Sequence, residues 1–291
     1  MKLTTGEKLF NAANLFILAI VGLLCLYPFL YTLSISLSTA TEASREGFHL
    51  YPKDVSLVSY RMVLSNPHIV TGYVNTLTRT IVGTILTLMM TCVAAYPLSR
   101  REMPHRSLIT FIIVFTMLFN GGLVPGYLLI KKLGLINTVW SLILPILITA
   151  FNVIIVKNFF QSLPESIIES ARIDGAGEWT ILFKLYIPLS KPVLATVALW
   201  TAVAHWNAWF DALLYITDDK RQVLQTFLQR IVIESSTQMM ELGITDTSVV
   251  QFTGETIKAA TIIVTILPII CVYPFVQKYF VKGIMLGGVK G

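Results

Sequence analysis

The chain has 291 residues, of which 55% are apolar and 13% charged, and a formal net charge of +6. A charged share about half that of soluble domains, with a mean hydropathy of +0.72, excludes a cytosolic globule, a fibrous protein and a disordered chain. The basic residues stand in ones, twos and threes between apolar runs. That is the pattern of loops between membrane spans, not of a face that binds nucleic acid.

Taken in chain order, Lys2 and Lys8 precede an apolar run that ends near Leu37. The run is too long for a signal peptide and no small-x-small cleavage site closes it, so it reads as a retained first membrane helix. Stretches long enough to cross a core about 30 Å thick give six predicted spans: 14–37, 73–98, 108–130, 139–160, 192–216 and 257–280. The third contains Asn120-Gly121-Gly122 and Pro125-Gly126, which cannot continue a straight helix cheaply. Two readings follow: a kink or re-entrant turn facing the bundle, or a helix ending near Phe119 with an external hairpin behind it. Cys25, Cys92 and Cys271 lie singly inside apolar runs and read as small buried side chains. No linker or composition shift divides the chain, which reads as one all-helical integral membrane domain over 1–291.

Arg100, Arg101 and Arg106 cluster after the second span and place that loop inside. Six spans then put both termini on the cytoplasmic side. Alternation puts the loop after the fourth span there too.

That loop, 162–191, carries most of the information. Ser162-Leu163-Pro164-Glu165 has the form of a capping box and predicts a helix start. Leu163, Ile167 and Ala171 fall on one face with Ile168 beside them. Gly175-Ala176-Gly177 predicts a stop with a left-handed residue, and Trp179, Leu182, Phe183 and Tyr186 write a second short amphipathic helix that Pro188 ends. The product is a projecting two-helix knob.

Glu169-Ser170-Ala171, three residues, Gly175, nine residues, Leu185, one residue, Ile187-Pro188 resembles the EAA loop of bacterial ATP-binding-cassette importers, E-A-A-x3-G-x9-I-x-L-P. Ser170, Leu185 and Ile187 depart conservatively from it. Asp174-Gly175-Ala176 at the turn and the Gly287–Gly291 ending are similar to the carbohydrate-uptake branch, in particular the maltose-type second permease subunit. The resemblance implies a type I importer permease whose residues Glu169, Ser170, Ala171, Asp174, Gly175 and Ala176 couple it to an ATP-hydrolysing subunit. It further implies a second permease subunit, two ATP-binding subunits that use ATP and Mg, and an external solute-binding protein. The competing reading of the loop is an amphipathic helix pair lying on the headgroups.

No phosphate-binding loop occurs, and His49, His68, His105 and His205 show no ligand spacing, so no catalytic or metal site is expected in this chain. An ion-coupled carrier is the rival of a different class, and an importer of a non-sugar solute is the nearer alternative. The carrier would need several intramembrane carboxylates, whereas Arg79 and Asp211 lie near the outer ends of the second and fifth spans and no Asp or Glu sits deep in the other spans. His205-Trp206-Asn207-Ala208-Trp209-Phe210-Asp211 in the fifth span is the candidate substrate path. On a continuous helix Trp206 and Trp209 share one face, and Asn207 and Asp211 another. Rings stack on sugar C–H faces while amides and carboxylates hold hydroxyls. An interfacial aromatic belt is the alternative. Asn152 in the fourth span is a weaker candidate, with a helix–helix hydrogen bond as its rival role. The polar outer segment 217–256, with helical spacing over 223–233, reads by resemblance as a lobe for the binding protein or as a cap on the pore.

Overall fold

The computed structural model describes residues 4–45, 47, 49–119, 121–231 and 254–288, with 273–288 as backbone alone. Asn120 of the third span, residues 232–253 of the outer segment and 289–291 of the glycine-rich ending lie outside the described residues. The elements are helical: α1 (Thr5–Ser36), α2 (Ala40–Ala43), α3 (Val58–Ser65), α4 (Pro67–Ser99), α5 (Arg106–Leu118), α6 (Leu123–Lys132), α7 (Trp140–Ile143), α8 (Ala150–Gln161) and α9 (Glu165–Ile173). There follow α10 (Glu178–Leu189), α11 (Lys191–Asn207), α12 (Phe210–Tyr215) and α13 (Gly254–Gly288).

Three helices are long and apolar enough to cross as single rods: α1, α4 and α13. At 1.5 Å per residue α1 is about 48 Å long, more than the hydrocarbon core requires. Three bent pairs supply the other candidate crossings: α5 with α6 at 111°, Trp140–Ile146 with α8 at 53°, and α11, bent by 81° from the α10 helix of the 162–191 loop. The total of up to six matches the number of predicted spans. In the third, α5 ends at Leu118 and α6 starts after Gly122, whose φ of +89° is open to glycine without strain.

The fifth span departs from its predicted bounds of 192–216. α11 stops at Asn207, Ala208 is extended with ψ 128°, and α12 begins after Trp209. The break falls within the polar and aromatic stretch His205–Asp211, but no glycine or proline marks it.

The chain divides into two compact units, Met1–Ile69 with Leu228–Leu267 and Val70–Phe227 with Pro268–Gly291. In the first, Ile35, Ala43 and Ala259 form a small buried cluster, and the Ser59 hydroxyl donates to Thr256 Oγ1 at 2.9 Å. The S/T-x-x-E form that builds a reciprocal cap is Thr4…Glu7 at the start of α1. Glu42, buried in α2, accepts the backbone N–H groups of Lys53 and Asp54 and folds the 38–57 segment back on itself.

The second unit holds the main core: Cys92, Ala95 and Leu98 of α4, Val153, Val156 and Phe160 of α8, Ile168, Ile181, Leu182 and Tyr186 from the 162–191 loop, and Val197 of α11. α4 and α11 approach closely at Gly83, where a Cβ would lie 2.5 Å from His205 Nε2. Of the three cysteines only Cys92 is buried; Cys25 and Cys271 lie on exposed helix faces, a correction to the expectation for all three. In a membrane protein an exposed face is the apolar wall offered to lipid or to another subunit, which hydropathy cannot tell from core.

Candidate functional site

The 162–191 loop forms the two-helix knob, with a different start. Ser162 closes α8, its hydroxyl donating to the Phe159 carbonyl at 2.7 Å, and Pro164 occupies the N-cap of α9. The predicted Ser162–Glu165 capping box is therefore not formed: the serine is spent on the preceding helix. Gly175 adopts φ +79°, the left-handed turn the spacing predicts, and Ala176 N–H reaches back to the Ala171 carbonyl at 2.9 Å.

The second helix does not stop at Pro188. α10 runs on to Leu189 through a π turn over Leu182–Tyr186. The wider turn shifts the hydrogen-bond ladder by one residue just before the position where proline has no N–H to give.

Ile168, Ile181, Leu182 and Tyr186 fasten the knob to the core, with Tyr186 packing its ring edge against Tyr96 at 4.9 Å and Phe160 at 5.0 Å. Burying an aliphatic side chain contributes roughly 1.5–3 kcal/mol. The polar struts are worth less. Arg172 bridges Glu102 at 3.3 Å and Glu178 at 2.9 Å in exposed positions, where an ion pair contributes about 0–1 kcal/mol. Their service is directional: Glu178 also accepts the Tyr96 hydroxyl, and Arg100 donates to Tyr186 at 3.1 Å. The Tyr96 hydroxyl first, and then Arg172, hold the Glu178 carboxyl below its ordinary range. Glu102 first, then Glu178, raise Arg172 above its own.

Glu169, Ser170, Asp174 and Gly175 are exposed on the knob, while Ala171 and Ala176 are half-buried against the core beneath it. Ile173 and Trp179, 85% and 65% exposed, extend an apolar rim next to those carboxylates.

The fifth-span candidates are not brought onto shared faces, because the helix breaks among them. Trp206 is buried, edge-on to Tyr73 at 6.2 Å; Asn207 is exposed; Trp209 lies half-buried beyond the break, edge-on to Phe210 at 5.7 Å. Asn152 is buried and its side-chain oxygen accepts the Trp200 indole N–H at 2.7 Å.

Asp211 is held by Arg79, whose side chain is fully buried. One guanidinium nitrogen also donates to the Ala208 carbonyl at 3.2 Å, and the other to the Leu142 carbonyl at 3.3 Å. Arg79 thus serves the break in the fifth span and the broken fourth span together, replacing helix hydrogen bonds that the membrane interior cannot supply. A lone arginine in an apolar span was the available signal; its carbonyl partners carry no sequence mark.

Asn137 was not foreseen either. In a left-handed conformation with φ 60°, its side-chain oxygen accepts the Thr217 and Asp218 N–H groups at 2.7 and 3.1 Å. Asn75 of α4 donates to the Lys220 and Gln222 carbonyls, both at 2.9 Å. Together they pin the start of the predicted outer segment, and residues 224–231 are helical as the spacing predicts.

Long and broken apolar helices, together with a two-helix knob fastened to the core of the second unit, are the features of a membrane permease. Residues 93–286 match the family described as the binding-protein-dependent transport system inner membrane component, and this chain belongs to it. It is 42% identical over 288 residues to Protein LplC of Bacillus subtilis, covering 99% of this chain and 97% of that one. It is 41% identical over 288 residues to the polygalacturonan/rhamnogalacturonan transport system permease protein YtcP of the same organism, with 98% and 99% covered. A crystal structure of a bacterial ABC transporter involved in the import of the acidic polysaccharide alginate contains a chain of the same fold. That chain shows a TM-score of 0.87 and 33% identity over 96% of this chain and 99% of its own.

Proposed function

We propose that this chain is a permease subunit of an ATP-driven, binding-protein-dependent importer whose cargo is an acidic oligosaccharide. The observation that carries the transport reading is the knob: two helices hinged at left-handed Gly175, presenting Glu169 and Asp174 and bolted to the core of the second unit. A rigid two-helix projection transmits a push that a flexible loop would absorb. The acidic cargo is supported by two relatives of nearly full length, one named for polygalacturonan and the other for alginate.

Two ATP-binding subunits would sit on the cytoplasmic side, a second permease would complete the path, and a solute-binding protein would deliver the sugar from outside. ATP and Mg belong to the motor subunits. Both termini would be cytoplasmic, on the side of Arg100, Arg101 and Arg106. ATP binding closes the motor pair, moves the knob and opens the cavity outward; hydrolysis resets it. The two arrangements must differ by only a few kcal/mol, so that unequal contact with the motor can exchange them.

Of the five path candidates, Asn207 and Trp209 are the ones we assign to the sugar. Asp211 is engaged by Arg79 and Asn152 by Trp200, which favours structural roles for both. Trp206 forms the wall behind them.

The test is reconstitution of the full complex with its binding protein in proteoliposomes. Oligogalacturonates or alginate oligomers should stimulate ATP hydrolysis and enter the vesicles, whereas maltose should do neither. Stimulation by neutral sugars alone would overturn the acidic assignment, and no stimulation by any sugar would overturn the carbohydrate one.

A further inference from the structure

Two cavities flank the Arg100–Glu102 segment at the base of the knob, and they differ in chemistry. One, about 260 Å³, is lined by Arg100, Arg101, Arg106, Gln161, Glu102 and Glu165 among others. The other, about 510 Å³, is walled mainly by Val93, Pro97, Met103, Trp179 and Leu182, together with Tyr96 and the ion-paired Arg172 and Glu178, and shares Arg100 and Glu102 with the first.

The polar cavity carries uncompensated positive charge. Glu102 leans to Arg172 at 3.3 Å and only loosely to Arg100 at 4.0 Å. Among the described residues neither Arg101 nor Arg106 has an ion-pair partner, and Lys157 is close enough to Arg106 for the two cations to repel. Unpaired charges on half-buried Arg106 and exposed Arg101 at the end of an apolar span call for an anion.

Depth tells what kind. Ser99 is the last residue of α4 and Arg106 the first of α5, so the arginines stand where the headgroups of that leaflet lie. Trp179 at the mouth of the apolar cavity is the residue type that favours this interface. α5 has no buried residue, and Leu108, Phe111 and Ile112 continue the apolar wall toward the membrane interior.

An amphiphile fits both halves at once. We propose that these paired cavities bind one acidic glycerophospholipid of the inner leaflet, with its phosphodiester on Arg101 and Arg106 and an acyl chain against Val93, Met103 and Trp179. Held against the underside of α10, that lipid braces the knob at the level where the motor pushes. Placement in the inner leaflet rests on the orientation proposed above, but the binding chemistry does not depend on the cargo.

The experiment measures retained lipid rather than transport. The complete importer is purified from native membranes with mild detergent, and its bound lipids are counted by native mass spectrometry. The wild-type complex should keep a phosphatidylglycerol-class lipid that R101Q/R106Q loses. V93W, which fills the apolar cavity without altering charge, should lose it as well. In proteoliposomes, equal parts of phosphatidylcholine and phosphatidylglycerol should raise ATP hydrolysis of the wild type above the level in phosphatidylcholine alone, and R101Q/R106Q should not respond. Equal retention by the wild type and R101Q/R106Q would overturn the proposal. So would displacement of the lipid by inorganic phosphate, which would mark a plain anion site. A complex that retains its lipid yet fails to move any sugar would refute the importer reading while leaving this one standing.

Discussion

Gly175 and Arg79 are the two residues on which most geometry depends. At φ +79°, valine at position 175 would add strain of about 1–3 kcal/mol, although no atom lies within 4 Å of the Cβ site. The open space means that the damage of Gly175→Val comes from backbone conformation and from bulk added at the face that the proposed coupling role assigns to the motor. The variant should insert normally but lose its motor subunits in pull-down, whereas Gly175→Asn, which tolerates the left-handed region, should keep most of the coupling. Full transport by Gly175→Val would remove the turn from the mechanism. Arg79 is a different case, a fully buried cation with Asp211 as its counter-charge. Removing one partner of such a pair costs roughly 3–5 kcal/mol, while removing both is milder. Arg79→Gln should therefore sharply lower the melting temperature of the detergent-solubilised complex, and Arg79→Gln with Asp211→Asn should recover part of it. No recovery would mean that the bonds to the Ala208 and Leu142 carbonyls, not the charge pair, set the stability.

The helical elements were legible where a pattern is local and misread where a distant partner decides. The knob follows from spacing alone, because the turn glycine and the apolar faces of α9 and α10 lie within one short stretch. Ser162 satisfies the same local pattern as Thr4, yet α8 claims its hydroxyl, and no local rule ranks those two uses. The end of α11 at Asn207 is fixed from α4 through Arg79, out of reach of any window along the sequence. Within the knob, Glu178 offers a pH test. Its carboxyl titrates below its ordinary value of about 4.3, so the stability it adds is present above that value and is lost as pH falls through the lower, folded value. The stability difference between wild type and Glu178→Gln should hold steady near neutrality and vanish in acid. A difference that does not begin to fall once the pH is below the ordinary carboxylate value would show that the carboxylate is not what secures α10 to Tyr96 and Arg172.

For the whole molecule, the broken fifth span changes which positions should meet water during transport. Had the helix continued, positions 203, 207, 210 and 214 would have shared one exposure. With the break after Asn207, a cysteine at 207 should react with a water-soluble thiol reagent when the cavity faces outward and be protected when it faces inward. A cysteine at 206, behind Tyr73, should stay unreactive in both states. Labelling at 206 and 207 alike, or at neither in any state, would return these residues to an interfacial belt. The π turn in α10 has a consequence of its own for how this chain tolerates change in length. It holds one residue more than a regular helix would place there, so deletion of one residue within Leu182–Tyr186 could close into ordinary helix with little local damage. Because the π turn spends five residues where a regular helix spends about four, everything beyond would keep nearly the same angle and height relative to the knob. A one-residue change in the regular helix on either side has no such slack: it would rotate the fifth span by about 100° against the knob in a chain that still folds.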